Sequence, residues 1–240
     1  MKKIFLALMC VGFMASCAFG DLIKYSEEIN SGTDDSWNEY PGMNVNDDPL
    51  TGTAFVLPDG IEISDMVTGL QNQKDEENQD SELRITEDMY GSGLFIIVTM
   101  KITNLKDKAQ TLTLPAGLLL QNTTGDYQNG ILVKDVNIRL KSEETREVSV
   151  RFYCLNSARH ASDPDAQYGK PLFVTNIAAF QPLFNVCEEK KINIDEYSSI
   201  GILKYYTACS MVQDIVWAIT KGKTFKEKDI RKYMKHVKNA

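Results

Sequence analysis

The apolar positions of this chain change their period once, near residue 155. Before that point they come in short runs that are continuous or alternate with polar residues: Thr53–Leu57, Leu94–Asn104, Gln110–Leu114, Leu118–Leu120, Gly130–Val133, Val136–Leu140 and Glu147–Cys154. Turn formers separate several of them, as in Pro58-Asp59-Gly60, Lys106-Asp107 and Pro115-Ala116-Gly117. Period-two runs broken by such residues predict antiparallel strands. In Glu147–Cys154 the alternation puts Val148, Val150, Phe152 and Cys154 on one face, with Glu147, Ser149, Arg151 and Tyr153 on the other. After a loop, the period becomes helical. Pro182 suits the first turn of a helix reaching about Lys190. Asp195 or Ser198 caps a longer helix ending at Thr220, with Gly222 as its stop. Thr224-Phe225-Lys226-Glu227 reads as a capping box ahead of a last helix, Lys228–Val237. The long helix is apolar on most sides (Ile200, Leu203, Tyr206, Met211, Val212, Ile215, Val216, Ile219), which predicts burial.

The switch of period predicts a mainly β fold with α: an antiparallel β-sandwich, immunoglobulin-like or related, over 53–156, then a loop and helical subdomain packed on it over 157–240. Residues 21–52 are polar and rich in Asp, Asn, Gly and Pro, and read as a flexible leader, with Trp37 and Tyr40 as its anchors. Gln71–Glu82 has almost no apolar content and reads as an exposed loop. Residues 1–20 carry the layout of a signal peptide: Lys2 and Lys3, then an apolar run, Ile4–Met14, too short to span a bilayer. Met14-Ala15-Ser16-Cys17 resembles a lipobox, which would make Cys17 an acylated first residue; Ala18-Phe19-Gly20 alternatively permits cleavage before Asp21. Either reading predicts export, to the cell envelope by a lipid anchor or to the periplasm or exterior, with membrane contact only through Cys17.

Charge narrows the partners. The formal net charge is −7, and loss of Lys2 and Lys3 would take it to −9. The one basic cluster, Lys221 to Lys238, is interleaved with Glu227 and Asp229 and reads as a solvated helix face, so nucleic acid is excluded as a partner. The carboxylates of Asn44–Asp48 lack the glycine and closing glutamate of an EF-hand loop. Cys154, Cys187 and Cys209 are an odd number for an oxidising compartment, no CxxC spacing occurs, and His160 and His236 stand far apart. No metal or other cofactor is expected, and no phosphate loop, dinucleotide fingerprint or serine elbow is present.

What chemistry remains lies in two short motifs. Phe152-Tyr153-Cys154-Leu155-Asn156 closes the strand series on a thiol, and Val212-Gln213-Asp214-Ile215-Val216-Trp217 places a carboxamide on the apolar helix. Helical spacing puts Tyr206, Cys209, Ser210, Gln213 and Trp217 on one face. An aromatic-Cys-apolar-Asn segment, then a helical Gln-x-x-apolar-Trp segment, resembles the bacterial surface thioester domains, with Ile215 standing where that family usually has alanine. The resemblance implies a bond between Cys154 and Gln213, flanked by Tyr153, Asn156, Cys209 and Trp217, that an amine on a target surface opens to give covalent adhesion. From the residues themselves three states of Cys154 stay open: a buried thiol beside a backbone-bonded Gln213, a disulfide with Cys187 or Cys209, or the thioester. The expected function is a non-enzymatic binding or adhesion module of the envelope that meets an unknown protein or surface ligand. The alternatives are a small hydrolase or transferase using Cys154 and His160, and a purely structural envelope subunit.

Overall fold

A computed structural model describes residues 24, 26–71, 85–197 and 201–240. The signal-like segment with Cys17, the polar loop beyond Gln71, Ser198 and Ile200 therefore lie outside the described residues. The fold is mainly antiparallel β sheet with helices after it, as the change of period predicts. The strands are β1 (Thr53–Ala54), β2 (Ile61–Ile63), β3 (Met66–Leu70), β4 (Met89–Gly91), β5 (Ile96–Asn104), β6 (Gln110–Leu114), β7 (Leu118–Leu120), β8 (Gly130–Ile131), β9 (Val136–Leu140), β10 (Thr145–Cys154), β11 (Gln167–Gly169) and β12 (Phe173–Val174). Helices α1 (Gln181–Glu188), α2 (Ile202–Thr220) and α3 (Glu227–Tyr233) follow the strands.

Ten strands form one sheet in the order β1-β12-β7-β8-β10-β5-β3-β11, with β2 on β5 and β4 on β10. The long strand β10 is its hinge. Its first part pairs antiparallel with β5, from Thr145↔Thr103 to Phe152↔Ile96, and its last two residues pair with β8. The short β4 adds the parallel pairing, Val150↔Tyr90. Strands β6 and β9 form a separate two-stranded ribbon. Their inward residues, Leu112, Leu114, Ile138 and Leu140, join Val98, Met100, Ile102, Val148, Val150, Phe152 and Cys154 in one buried cluster. The outward residues of the ribbon, such as Thr113 and Asn137, hydrogen-bond each other at the surface. A second cluster lies under the helices, where Leu119, Ile131, Tyr153 and Leu155 meet Leu183, Val186, Tyr205, Val212, Ile215 and Ile219. Both faces of the end of β10 are thus buried. Period two assigns its faces and does not say what covers them.

The helices begin and end for local reasons. Pro182 occupies the first turn of α1, where its missing N–H costs nothing. Gly222, at φ +88°, follows the end of α2 and lets the Lys223 N–H return to the Ala218 carbonyl, 2.9 Å away. The start of α2 is Gly201, with no side-chain cap, while Asp195 sits in a separate 3-10 turn, Ile194–Glu196. That turn carries a capping box: Glu196 accepts from the Asn193 N–H at 2.8 Å. Thr224 does not cap α3. The N-cap is Lys226 and Glu227 is the first helical residue, because the chain stays extended through Phe225, which packs on the helical core. On α2, Tyr205 is fully buried whereas Leu203 is 58 % exposed and Tyr206 only half-buried, so the buried face begins one residue away from the expected one.

The segment read as a polar leader is wrapped onto the body between residues 26 and 52. Ile29, Met43 and Leu50 enter the helical core. Asn44, in the left-handed region at φ 49°, donates its backbone N–H to the Leu155 carbonyl and its side chain to the Trp37 carbonyl, both at 2.8 Å. At the other end, the Lys223 ammonium binds the carbonyls of Glu28, Ile29 and Ser31, and the Asp34 N–H reaches the Lys221 carbonyl. The Trp37 ring lies over Gly222, where a Cβ would come within 2.8 Å of it.

Candidate functional site

The site follows from how β10 ends. In an antiparallel ladder, successive residues turn their backbone groups to opposite sides. Leu155 donates to the Asn129 carbonyl on the β8 side, so Cys154, one residue earlier, directs its N–H and C=O to the β5 side. There β5 has stopped: the last pair is Phe152↔Ile96. The two backbone groups of Cys154 would be orphans in the core, each costing about 1–3 kcal/mol.

Gln213 fills that gap. Its Oε1 accepts the Cys154 N–H at 2.9 Å and its Nε2 donates to the Cys154 carbonyl at 2.8 Å. One carboxamide stands in for a neighbouring strand, across 59 residues of sequence. Both residues are buried, Cys154 at 0 % and Gln213 at 2 % exposure. The thiol is covered by Trp217, one turn further along α2, whose indole N–H donates to Sγ at 3.3 Å. Trp217 stacks in turn on Phe95, with ring centroids 5.6 Å apart, and both rings are half-buried. Burial pushes the Cys154 thiol up to about 12; the Trp217 indole and the Asn156 backbone N–H pull the other way without offsetting it. A free Cys154 is therefore a protonated thiol at neutral pH.

Asn156 anchors the far side. Its Oδ1 accepts from the Asn129 N–H at 2.9 Å, and its Nδ2 donates to the Gly42 and Asn44 carbonyls at 3.0 and 3.1 Å. It ties the end of β10 both to the strand connection before β8 and to the wrapped N-terminal segment. Tyr153 points to the opposite face, into the helical core, and Cys209 joins it there, one turn before Gln213 on α2. Of the expected neighbours, Trp217 and Asn156 stand at Cys154 itself, and Tyr153 and Cys209 stand together behind the strand. Cys154, Cys187 and Cys209 are all buried free thiols.

His160 does not reach the thiol chemistry. It is exposed, its ring packs edge-on against Tyr127 at 6.3 Å, and its backbone bridges Asp126 and Gln128. No group of three or more His, Cys, Asp or Glu suited to a metal occurs among the described residues. None of the described helices is long and apolar enough to cross a membrane. Two members of the site carried no motif: Phe95, which lies just before β5 and supplies half of the aromatic cover, and Tyr168, buried on β11 near Cys154. No family model, curated protein or solved structure matches this chain.

Proposed function

We propose that this chain is an exported binding and adhesion module of the cell envelope, non-enzymatic, built as an antiparallel β-sandwich with a helical subdomain packed on it, and armed with an internal thioester between Cys154 and Gln213. The observation that carries the reading is the seating of the Gln213 carboxamide on Cys154, beneath Trp217 and Phe95. Bond formation joins Sγ to the carboxamide carbon and breaks its bond to nitrogen; the thiol proton leaves with that nitrogen as ammonia. A primary amine on a target surface would then attack the same carbon, forming an amide and returning the thiol to Cys154. The half-buried aromatic pair shields a hydrolysable bond from water while remaining at the edge where an amine arrives. In this reading residues 1–20 are the export signal, with Cys17 as the lipidation site, and the ligand is a protein or surface bearing an accessible amine.

The intact mass of freshly purified, non-reduced protein tests it. A thioester lowers the mass by about 17 Da, and methylamine then adds to Gln213 and frees one thiol. A disulfide instead loses two hydrogens and responds to reductant alone. An unshifted mass with three titratable thiols after denaturation would overturn the covalent reading and leave Gln213 as a clamp on the strand end. Replacing His160 by Ala separates the module from a Cys-His hydrolase: adhesion through the thioester survives it.

A further inference from the structure

The helix-facing side of β10 holds a buried cation with too few acceptors. Arg151 is 2 % exposed, and its guanidinium carries five N–H donors. Its Nη1 donates to the Gly93 carbonyl over a long 3.4 Å. Nε is buried without a partner, and no carboxylate pairs with Arg151 among the described residues. The other buried cations are provided for: Lys134 has Glu196 at 2.7 Å, and Lys190 has the Val237 carbonyl and the Asn239 side chain at 3.1 and 2.9 Å.

The surroundings of Arg151 supply neutral hydroxyls and a thiol, and no negative charge. The Tyr153 hydroxyl, buried beside Ser92 and the Cys209 thiol, has no partner in hydrogen-bonding geometry. The Tyr205 hydroxyl donates at 3.2 Å to the same Gly93 carbonyl that Arg151 uses. That carbonyl is held in place because Gly93, at φ +128°, lies so close to β10 that a Cβ would come within 2.1 Å of the Phe152 carbonyl. Burial pushes the Cys209 thiol and both phenols up, so none of them supplies a negative charge at neutral pH, although the Arg151 charge opposes the shift at Tyr205 and Cys209. A buried, unpaired guanidinium costs several kcal/mol.

We infer that Arg151 and Tyr153 form a binding site for a small monovalent anion, of the size of chloride, which accepts from Nε and from the Tyr153 hydroxyl and neutralises the guanidinium. The closeness of Ser92, Gly93, Tyr205 and Cys209 limits the ligand to one or a few atoms. The site lies behind the strand from Cys154 and does not depend on the thioester.

Thermal unfolding of the full chain in sodium gluconate and in sodium chloride, at constant ionic strength, tests the proposal. Chloride at about tenfold excess over its dissociation constant should raise the midpoint by about 3–6 °C, saturably, with bromide acting alike. Arg151→Met should abolish the difference between the salts, and Tyr153→Phe should weaken the anion's effect. Should the Arg151 variant fail to fold, crystals of the unaltered protein soaked in bromide give the answer through anomalous scattering. A peak between Arg151 and Tyr153 supports the site. No salt-specific rise in the unaltered protein, an equal rise in Arg151→Met, or bromide found only elsewhere would overturn it.

Discussion

Two buried polar regions share the end of β10, one on each side of the strand, and they are managed in opposite ways. At Cys154 every polar group has a partner: the backbone pair is taken by Gln213, the thiol by Trp217, and the neighbouring Asn156 makes three bonds of its own. At Arg151 and Tyr153, one carbonyl serves two donors while a guanidinium nitrogen and a phenol go without. The difference teaches that burial alone says little about a polar residue's role. The satisfied side is completed by groups of the chain itself. The unsatisfied side is charged and short of acceptors, and what completes it comes from outside the chain.

Breaking the satisfied side should cost most. Gln213→Ala orphans the Cys154 N–H and C=O together and leaves a cavity, with an expected loss of about 3 kcal/mol in urea unfolding. A loss under about 1 kcal/mol would mean that the strand end finds other partners. Arg151→Met should move stability the other way in an anion-poor buffer, by about 1 kcal/mol, because an apolar chain of similar length removes an unpaired charge. Unfolding in gluconate reads this directly, and strong destabilisation there would show the guanidinium to be satisfied after all.

Asp214, next to Gln213 on α2, sharpens the comparison through pH. Burial raises its carboxyl pKa, with the Tyr233 hydroxyl at 2.9 Å only partly opposing the shift. A carboxyl raised in the folded state holds its proton more tightly there, so its contribution is complete below the ordinary carboxylate range. It is lost as pH rises through the raised value. Asp214→Asn should therefore flatten the decline of stability just above that range, which unfolding across pH 4 to 7 measures (about the interval bracketing an ordinary and a raised carboxyl). The smallest effect should be that of Trp217→Phe. It keeps the aromatic cover and removes the indole donor, costing about 0.5–1 kcal/mol and leaving the free thiol even harder to ionise. The labelling rate of denatured against native protein checks it.

How much of this was legible follows from what each residue's pattern encodes. The alternation in Glu147–Cys154 placed Cys154 and Tyr153 on opposite faces, and they lie in the two separate clusters. The same alternation grouped Arg151 with Glu147 and Ser149 as a polar face. It could not show that helices cover the far end of that face, since the cover comes from elements far along the chain. Cys154 and Gln213 were a pair by residue type and context. That the carboxamide addresses the backbone of Cys154 depends on where β5 stops, a property of register and not of composition. The wrapped segment was hidden because its anchors are few: Met43 and Leu50 are isolated apolar positions, and Asn44 acts through a left-handed backbone that no period reveals.

The N-terminal wrap has a consequence for the order of events in this molecule's making. Its attachments reach from Gln121 and Asn129 through Asn156 to Lys223, so 71 to 195 residues separate these anchors from what they grip. Contacts of such separation close late, after the loops between them have been drawn in. A chain emerging from a ribosome, or threading through a pore, offers residues 26–52 long before their docking sites exist. Until Lys223 has arrived, the far end of the wrap has nothing to hold. A segment made early is thus among the last to be secured, and its docking waits for the end of α2.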